Sequence, residues 1–261
     1  MVPPDWPIII GGSHRSGTTL LRRLLDGHPH IFCPPEIKFH KDLLGQFPDD
    51  PLAHGRLGRS LQALGLPTEQ WLDEFGHALC RCYDIAARNA GKRRWADKNP
   101  ENALNAGHWN RLLGGRMAFV LRVRHPFDVI ASMAEIGMNK VIPLDTPGRA
   151  THVHDYITAG LAFVDTYPER SIIVRYERLA TEPITVLGQL MSFLGERYEE
   201  SMIDDLAKDC HGSGLEDPKT VQHAGISSRG IDRWRRDLPV AHVELAKPFL
   251  RPICERLGYE V

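Results

Sequence analysis

The chain has 261 residues, 42% hydrophobic and 25% charged, and a formal net charge of −1 from 32 Lys plus Arg against 33 Asp plus Glu. That length suits one large domain over 1–261 and is short for two. The near-neutral balance argues against a broadly basic binder of nucleic acid or membrane surfaces. No apolar run approaches the about 18 residues of a membrane span, and Met1-Val-Pro-Pro-Asp-Trp6 carries no signal-peptide pattern, so a cytoplasmic protein without stable membrane insertion is expected.

The first predicted strand, 7–12, carries the apolar run Ile8-Ile9-Ile10, and a helix is predicted over 17–27 with Leu20, Leu21, Leu24 and Leu25 on one face. Between them, from Gly12, the sequence spells G-x-x-x-x-G-T-T, a phosphate-binding loop with Thr18 where a nucleotide triphosphatase has lysine. A glycine-containing turn feeding a helix N-terminus aims several N–H groups at one point and holds an anion there. Without the lysine that reaches β- and γ-phosphates, the loop suits a nucleotide with no triphosphate tail, and Arg15 supplies a cation in its place.

Farther on, helices are predicted over 68–90, 100–112, 126–137, 152–166, 183–195 and 240–257, and strands over 93–97, 117–123 and 170–175. Pro100 and Pro126 each fall just after a strand, at the first turn of the next helix, where a missing N–H costs nothing. The segments 36–66 and 138–152 are rich in Gly, Pro and His with poor periodicity, and read as loops and short helices over the carboxyl edge of a sheet. Alternating short strands and helices predict an α/β fold, a P-loop-type three-layer sandwich with a central parallel sheet and helices on both faces. Five cysteines make no disulfide framework, and the pairs His28/His30 and His152/His154 have no neighbouring carboxylate or cysteine that completes a zinc set. They are read as surface or cleft residues, and no metal is expected.

Four more features lie at predicted strand ends. They are Cys33-Pro-Pro-Glu36-Ile-Lys-Phe, Trp95-Ala-Asp-Lys98-Asn-Pro, Arg122-Val-Arg124-His-Pro-Phe-Asp-Val-Ile-Ala-Ser132, and Val174-Arg-Tyr176-Glu-Arg-Leu179. With the phosphate loop they share one edge of one sheet, which makes a common site the best explanation.

Together these motifs resemble the PAPS-dependent sulfotransferase superfamily, whose members move a sulfuryl group from 3′-phosphoadenosine 5′-phosphosulfate to an acceptor. Arg15-Ser-Gly-Thr-Thr19 looks like the loop for the 5′-phosphosulfate, and Arg124 through Ser132 like the 3′-phosphate motif. Tyr176 resembles the later strand-end tyrosine, and Ser227-Ser-Arg-Gly-Ile-Asp-Arg-Trp234 the loop that closes over the nucleotide. The resemblance runs from residue 7 to about 240, and is nearest to the bacterial and tyrosylprotein-type branch, where a glutamate about twenty residues past the loop arginine serves as base. Glu36 occupies that place, although Pro34-Pro35 stiffen the chain before it, and His40 is a rival base four residues on.

The resemblance implies that His14, Arg15, Ser16, Gly17, Thr18 and Thr19 cradle the 5′ group. It also implies that Arg124 and Ser132 hold the 3′-phosphate, with Tyr176, Ser228 and Arg229 completing the donor site. Glu36 would take the acceptor proton, while Lys98 and Arg15 stabilise the departing bridging oxygen without a metal. The expected partner is a hydroxyl-bearing acceptor (small molecule, glycan, lipid or peptide) selected by 37–66 and 138–155, where Phe39, His40, Leu43, Leu44, Met138, His152 and His154 stand. Two alternatives stay open: a lysine-less P-loop kinase or NTPase, for which Asp97 is the one candidate magnesium ligand, and a non-catalytic nucleotide-binding protein.

Overall fold

In a computed structural model, residues 1–38, 55–136, 141–207 and 225–261 are described. The candidates Phe39, His40, Leu43, Leu44 and Met138 lie outside them. In chain order the elements are β1 (Ile8–Gly12), α1 (Thr18–Asp26), β2 (Ile31–Phe32), α2 (Gly55–Ala63), α3 (Thr68–Asn89), β3 (Arg94–Lys98) and, after a 3₁₀ turn at Pro100–Ala103, α4 (Ala106–Leu112). Then come β4 (Ala118–Val123), α5 (Pro126–Ile136), α6 (Thr146–Thr166), β5 (Ser171–Arg175), α7 (Tyr176–Thr181), α8 (Pro183–Leu194), α9 (Ser201–Asp204), α10 (Trp234–Asp237) and α11 (Val240–Leu257).

The five strands form one sheet in the order β2-β3-β1-β4-β5, and every pairing is parallel. Side-chain alternation along a strand sorts the apolar residues onto two faces. Ile8, Ile10, Ala96, Ala118 and Val120 pack with Leu21, Leu24 and Leu25 of α1 and Leu187, Leu190 and Met191 of α8. Ile9, Trp95, Phe119, Leu121 and Val123 face α3–α6 and α11. Helices therefore cover both faces, giving the three layers expected.

β1 has β3 on one side and β4 on the other, so strand order reverses beside it and a crevice opens at its carboxyl end. Gly11 lets the 3₁₀ turn close against β1: a Cβ there would stand 2.4 Å from the Ala103 nitrogen. That turn carries Glu101 and leads out of the strand that ends in Lys98.

The four long strands match their sequence expectations to within a residue at either end. Two expectations are corrected. The helix foreseen over 100–112 is a 3₁₀ turn followed by a short α-helix, and the helix foreseen from 152 begins at Thr146, where the Asp145 carboxylate accepts the Gly148 N–H at 2.7 Å and Pro147 suits the first turn. The short β2, α7, α9 and α10 were not foreseen, because two to six residues carry too little periodicity. His28 is also corrected. It is buried inside the fold, its Nε2 3.0 Å from the Arg197 carbonyl and its Nδ1 accepting the His30 N–H at 3.1 Å. Glu196 stands beside the pair, but Arg93 engages it at 2.9 Å and Arg94 lies 3.7 Å away. With both His28 nitrogens committed and the carboxylate opposed by two guanidiniums, the trio is structural.

Candidate active site

The phosphate loop turns through two left-handed residues, Arg15 (φ 69°) and Gly17 (φ 86°). Only glycine fits at 17, since a Cβ there would stand 2.8 Å from Cδ2 of Tyr176. Ser16 braces the turn, its hydroxyl donating to the Ser13 carbonyl at 2.7 Å. α1 then begins without a side-chain cap and without an acidic residue in its first turn, which leaves the positive end of its dipole facing the crevice. Thr18 and Thr19 are buried in that first turn. A left-handed arginine costs about 1–3 kcal/mol, a strain typical of ligand clamps.

What the strained arginine gains is a shared corner with the second motif. Arg15 Nε donates to Ser132 Oγ at 3.2 Å, and Arg124 Nη1 donates to the Arg15 carbonyl at 3.0 Å. The Arg124 guanidinium lies over the Tyr176 ring at 4.6 Å from its centroid, and its Nη2 donates to the Gly230 carbonyl at 2.6 Å. Tyr176 in turn donates its hydroxyl to the Ser227 carbonyl at 3.1 Å. Loop, strand end, tyrosine and C-terminal loop thus meet around one buried guanidinium. Among the described residues, Arg124 Nε has no hydrogen-bond partner, nor does the buried Ser13 hydroxyl.

Asp128, fully buried on α5, holds the C-terminal loop in place. Its two oxygens accept the backbone N–H groups of Asp232 at 3.0 Å and Trp234 at 2.9 Å. Trp234 also stacks against His125 at 5.5 Å between ring centroids. Ser228 and Arg229 are exposed; the Arg229 guanidinium is not drawn into the corner, and the contribution of this loop to Arg124 is a backbone carbonyl. Asp128 was missed in the sequence although it lies inside the quoted motif, because nothing in a linear pattern marks a carboxylate as the partner of N–H groups a hundred residues away.

The second cluster centres on Glu36. Lys98, buried at the end of β3, donates to Glu36 Oε1 at 2.7 Å and to Thr19 Oγ1 at 3.4 Å, tying the carboxylate to the phosphate loop. Lys38 reaches the other oxygen, Oε2, at 3.2 Å and bridges to Glu101 at 3.3 Å. Burial pushes the Glu36 carboxyl up, yet Lys98 and Lys38 outweigh it and hold it below the ordinary glutamate range. Burial likewise works against the Lys38 ammonium, but Glu101 and Glu36 win and raise it. Lys38 and Glu101 were not singled out in the sequence.

His14, in the loop, sits 3.1 Å through Nδ1 from Nε2 of His152 on α6, and both rings contact Tyr156. Burial is the chief reason that the His14 pKa falls to about 4, so the imidazole is neutral at physiological pH. His154 points elsewhere, pairing with Asp155 at 3.1 Å.

Asp97 is committed to the fold. Its carboxylate accepts from Tyr83 at 2.5 Å, Asn102 at 2.7 Å and Asn99 at 2.9 Å. Burial raises its pKa against these bonds. A buried carboxylate so engaged is poorly placed to hold magnesium as a kinase would require.

A parallel sheet with a phosphate-type loop at its switch point, helices on both faces and cations beside the loop define an α/β protein of the P-loop-like fold. Comparison with known proteins narrows that class: residues 7–200 match the sulfotransferase family, and the chain belongs to it. It is 26% identical over 271 residues to protein-tyrosine sulfotransferase 2 of Gallus gallus, covering 97% of this chain and 69% of that one. The chain spans about two thirds of the length of the curated relatives it matches, from 65% to 73%. Among solved structures, a sulfotransferase domain from the curacin biosynthetic pathway shares the fold with a TM-score of 0.67 at 24% identity, covering 100% of both chains. Mouse sulfotransferase SULT7A1 complexed with PAP shares it with a TM-score of 0.53 at 14% identity, covering 98% of this chain and 89% of that one. No helix among the described residues is long and apolar enough to cross a membrane.

Proposed function

We propose that residues 1–261 form one catalytic domain that transfers the sulfuryl group of 3′-phosphoadenosine 5′-phosphosulfate to an acceptor hydroxyl. The observation that carries this reading is the convergence of Arg15, Ser132, Arg124 and Tyr176 on one corner, from three motifs far apart in the chain. An anion with a single end would be served by the loop alone. Arg124 Nε, without a partner among the described residues, is a donor that fits a further anionic group at this corner. The PAP complex of the mouse relative in fold supports the same donor class.

In this reading the loop N–H groups, Thr18 and Thr19 bind the 5′ end, while Arg124 and Ser132 grip the 3′-phosphate through a guanidinium fork. Glu36 accepts the proton of the acceptor hydroxyl as that oxygen forms its bond to sulfur. The bond from sulfur to the bridging phosphate oxygen breaks, and Lys98 and Arg15 stabilise the charge left on the bisphosphate. Sulfuryl transfer, like phosphoryl transfer, leaves the protein mainly positioning and charge stabilisation to supply. Lys98 is suited to couple the two tasks, because it touches Glu36 and Thr19 together.

Incubation with labelled donor and a panel of acceptors (phenols, sugars, lipid alcohols and tyrosine peptides) tests the proposal. Labelled product formed with equimolar adenosine 3′,5′-bisphosphate, undiminished by EDTA, is the expected result. Magnesium-dependent ATP turnover with no sulfated product would replace it with the kinase reading.

A further inference from the structure

β4 carries a second arginine, two residues before Arg124, that none of the roles above uses. Arg122 is fully buried, with a relative exposure of 0%. Its Nη1 makes one long hydrogen bond, 3.4 Å to the Val174 carbonyl, and Nε and Nη2 have no hydrogen-bond partner among the described residues. A buried guanidinium is ordinarily ion-paired, because leaving its donors unmet is costly.

No carboxylate among the described residues forms an ion pair with it. Glu177 exerts the strongest attractive pull on Arg122, but its Oε1 accepts the His125 N–H at 2.8 Å and its Oε2 the Tyr259 hydroxyl at 2.9 Å. Arg124 adds a second positive charge nearby, and Tyr176 and Tyr259 also stand within electrostatic reach of the group. Burial lowers the Arg122 pKa to about 10, which leaves it charged at neutral pH. Glu177 thus serves both arginines, and Asp128 adds a negative charge on Arg124, in a corner almost closed to water.

The position of the side chain says where compensation can come from. Nη2 stands 3.4 Å from the place a Cβ on Gly17 would occupy, directly behind the phosphate loop, and the guanidinium lies 5.4 Å from the Tyr176 ring centroid. We propose that Arg122 is a positioning residue whose unpaired charge, held behind Gly17, is compensated by the 5′ anionic group of the bound nucleotide across the loop. This rests on the proposal that the loop binds a nucleotide. The free protein carries the cost of the buried cation, and ligand binding relieves it.

A purely structural arginine and a ligand-compensated one differ in sign. If Arg122 serves the ligand, Arg122→Met fills the same space without charge and leaves the ligand-free protein as stable as wild type or more so. The same change weakens adenosine 3′,5′-bisphosphate and adenosine 5′-phosphate by one common factor of about 10 to 100, since the missing charge acts on the end they share. Arg122→Lys, which restores the charge, recovers part of that loss. Melting temperatures without ligand and calorimetric titrations with both nucleotides read these outcomes. Unchanged affinity in Arg122→Met, lower stability of the free variant, or failure of both variants to fold would each overturn the assignment. Failure of wild-type protein to bind either nucleotide would instead remove the proposed donor site, and Arg122 with it.

Discussion

Glu36→Gln separates the chemistry of the site from its architecture. Glutamine keeps an oxygen where Oε1 accepts from Lys98 at 2.7 Å, so the hydrogen bond survives while the charge and the basicity disappear. Loss of a general base lowers turnover about 10²–10⁴-fold, and donor affinity should stay within a few-fold because Arg15, Arg124 and Ser132 are untouched. Lys98 has a side-chain exposure of 0%, so Glu36→Ala, which strands that ammonium, should cost about 3–5 kcal/mol of stability. Glutamine should cost less, about 1–3 kcal/mol, because an acceptor remains.

The pH profile tests the same assignment. Glu36 is held below the ordinary glutamate value of about 4.3. The ion pair therefore stabilises the fold above that value, and the contribution is lost as pH falls through the lower folded pKa. The acidic limb of kcat/KM for acceptor should likewise lie below about pH 4.3. A limb near pH 6–7 that persists in Glu36→Gln, with turnover within about fivefold of wild type, would refute the base assignment and favour a histidine such as His40.

Two other perturbations probe the frame around the chemistry. Gly17→Ala places a methyl 2.8 Å from the Tyr176 ring at φ 86°, and should lower stability by more than about 1 kcal/mol while weakening nucleotide binding, read by thermal melts with and without bisphosphate. Asp128→Ala removes both acceptors that hold the Asp232 and Trp234 N–H groups; an about 2–4 kcal/mol loss of stability is expected, with new protease cleavage in the segment 225–236, and an unaltered digest would contradict the pinning role.

The motifs on the phosphate loop and on β4 were legible because each is contiguous and its chemistry is local: a turn, a helix N-terminus, an arginine at a strand end. The long strands were legible because Ile8-Ile9-Ile10 and Ala118–Leu121 are unbroken apolar runs of the kind a two-sided parallel sheet needs. Residues whose role depends on a distant partner were not. Lys38 draws its meaning from Glu101 sixty-three positions away, Asp128 from N–H groups at 232 and 234, and Arg122 from donors that no side chain among the described residues meets. Gly230 was hidden for the same reason: its carbonyl meets Arg124 from more than a hundred positions away, beside the exposed Arg229.

The central claim, a cleft that grips a nucleotide at two separate anionic ends, is tested most directly by titrating wild-type and Arg124→Ala protein with adenosine 3′,5′-bisphosphate and with adenosine 5′-phosphate. Wild type should bind the bisphosphate more tightly, and Arg124→Ala should abolish most of that preference, weakening the bisphosphate at least about tenfold more than the monophosphate. Equal weakening of both, or no preference in wild type, would contradict it.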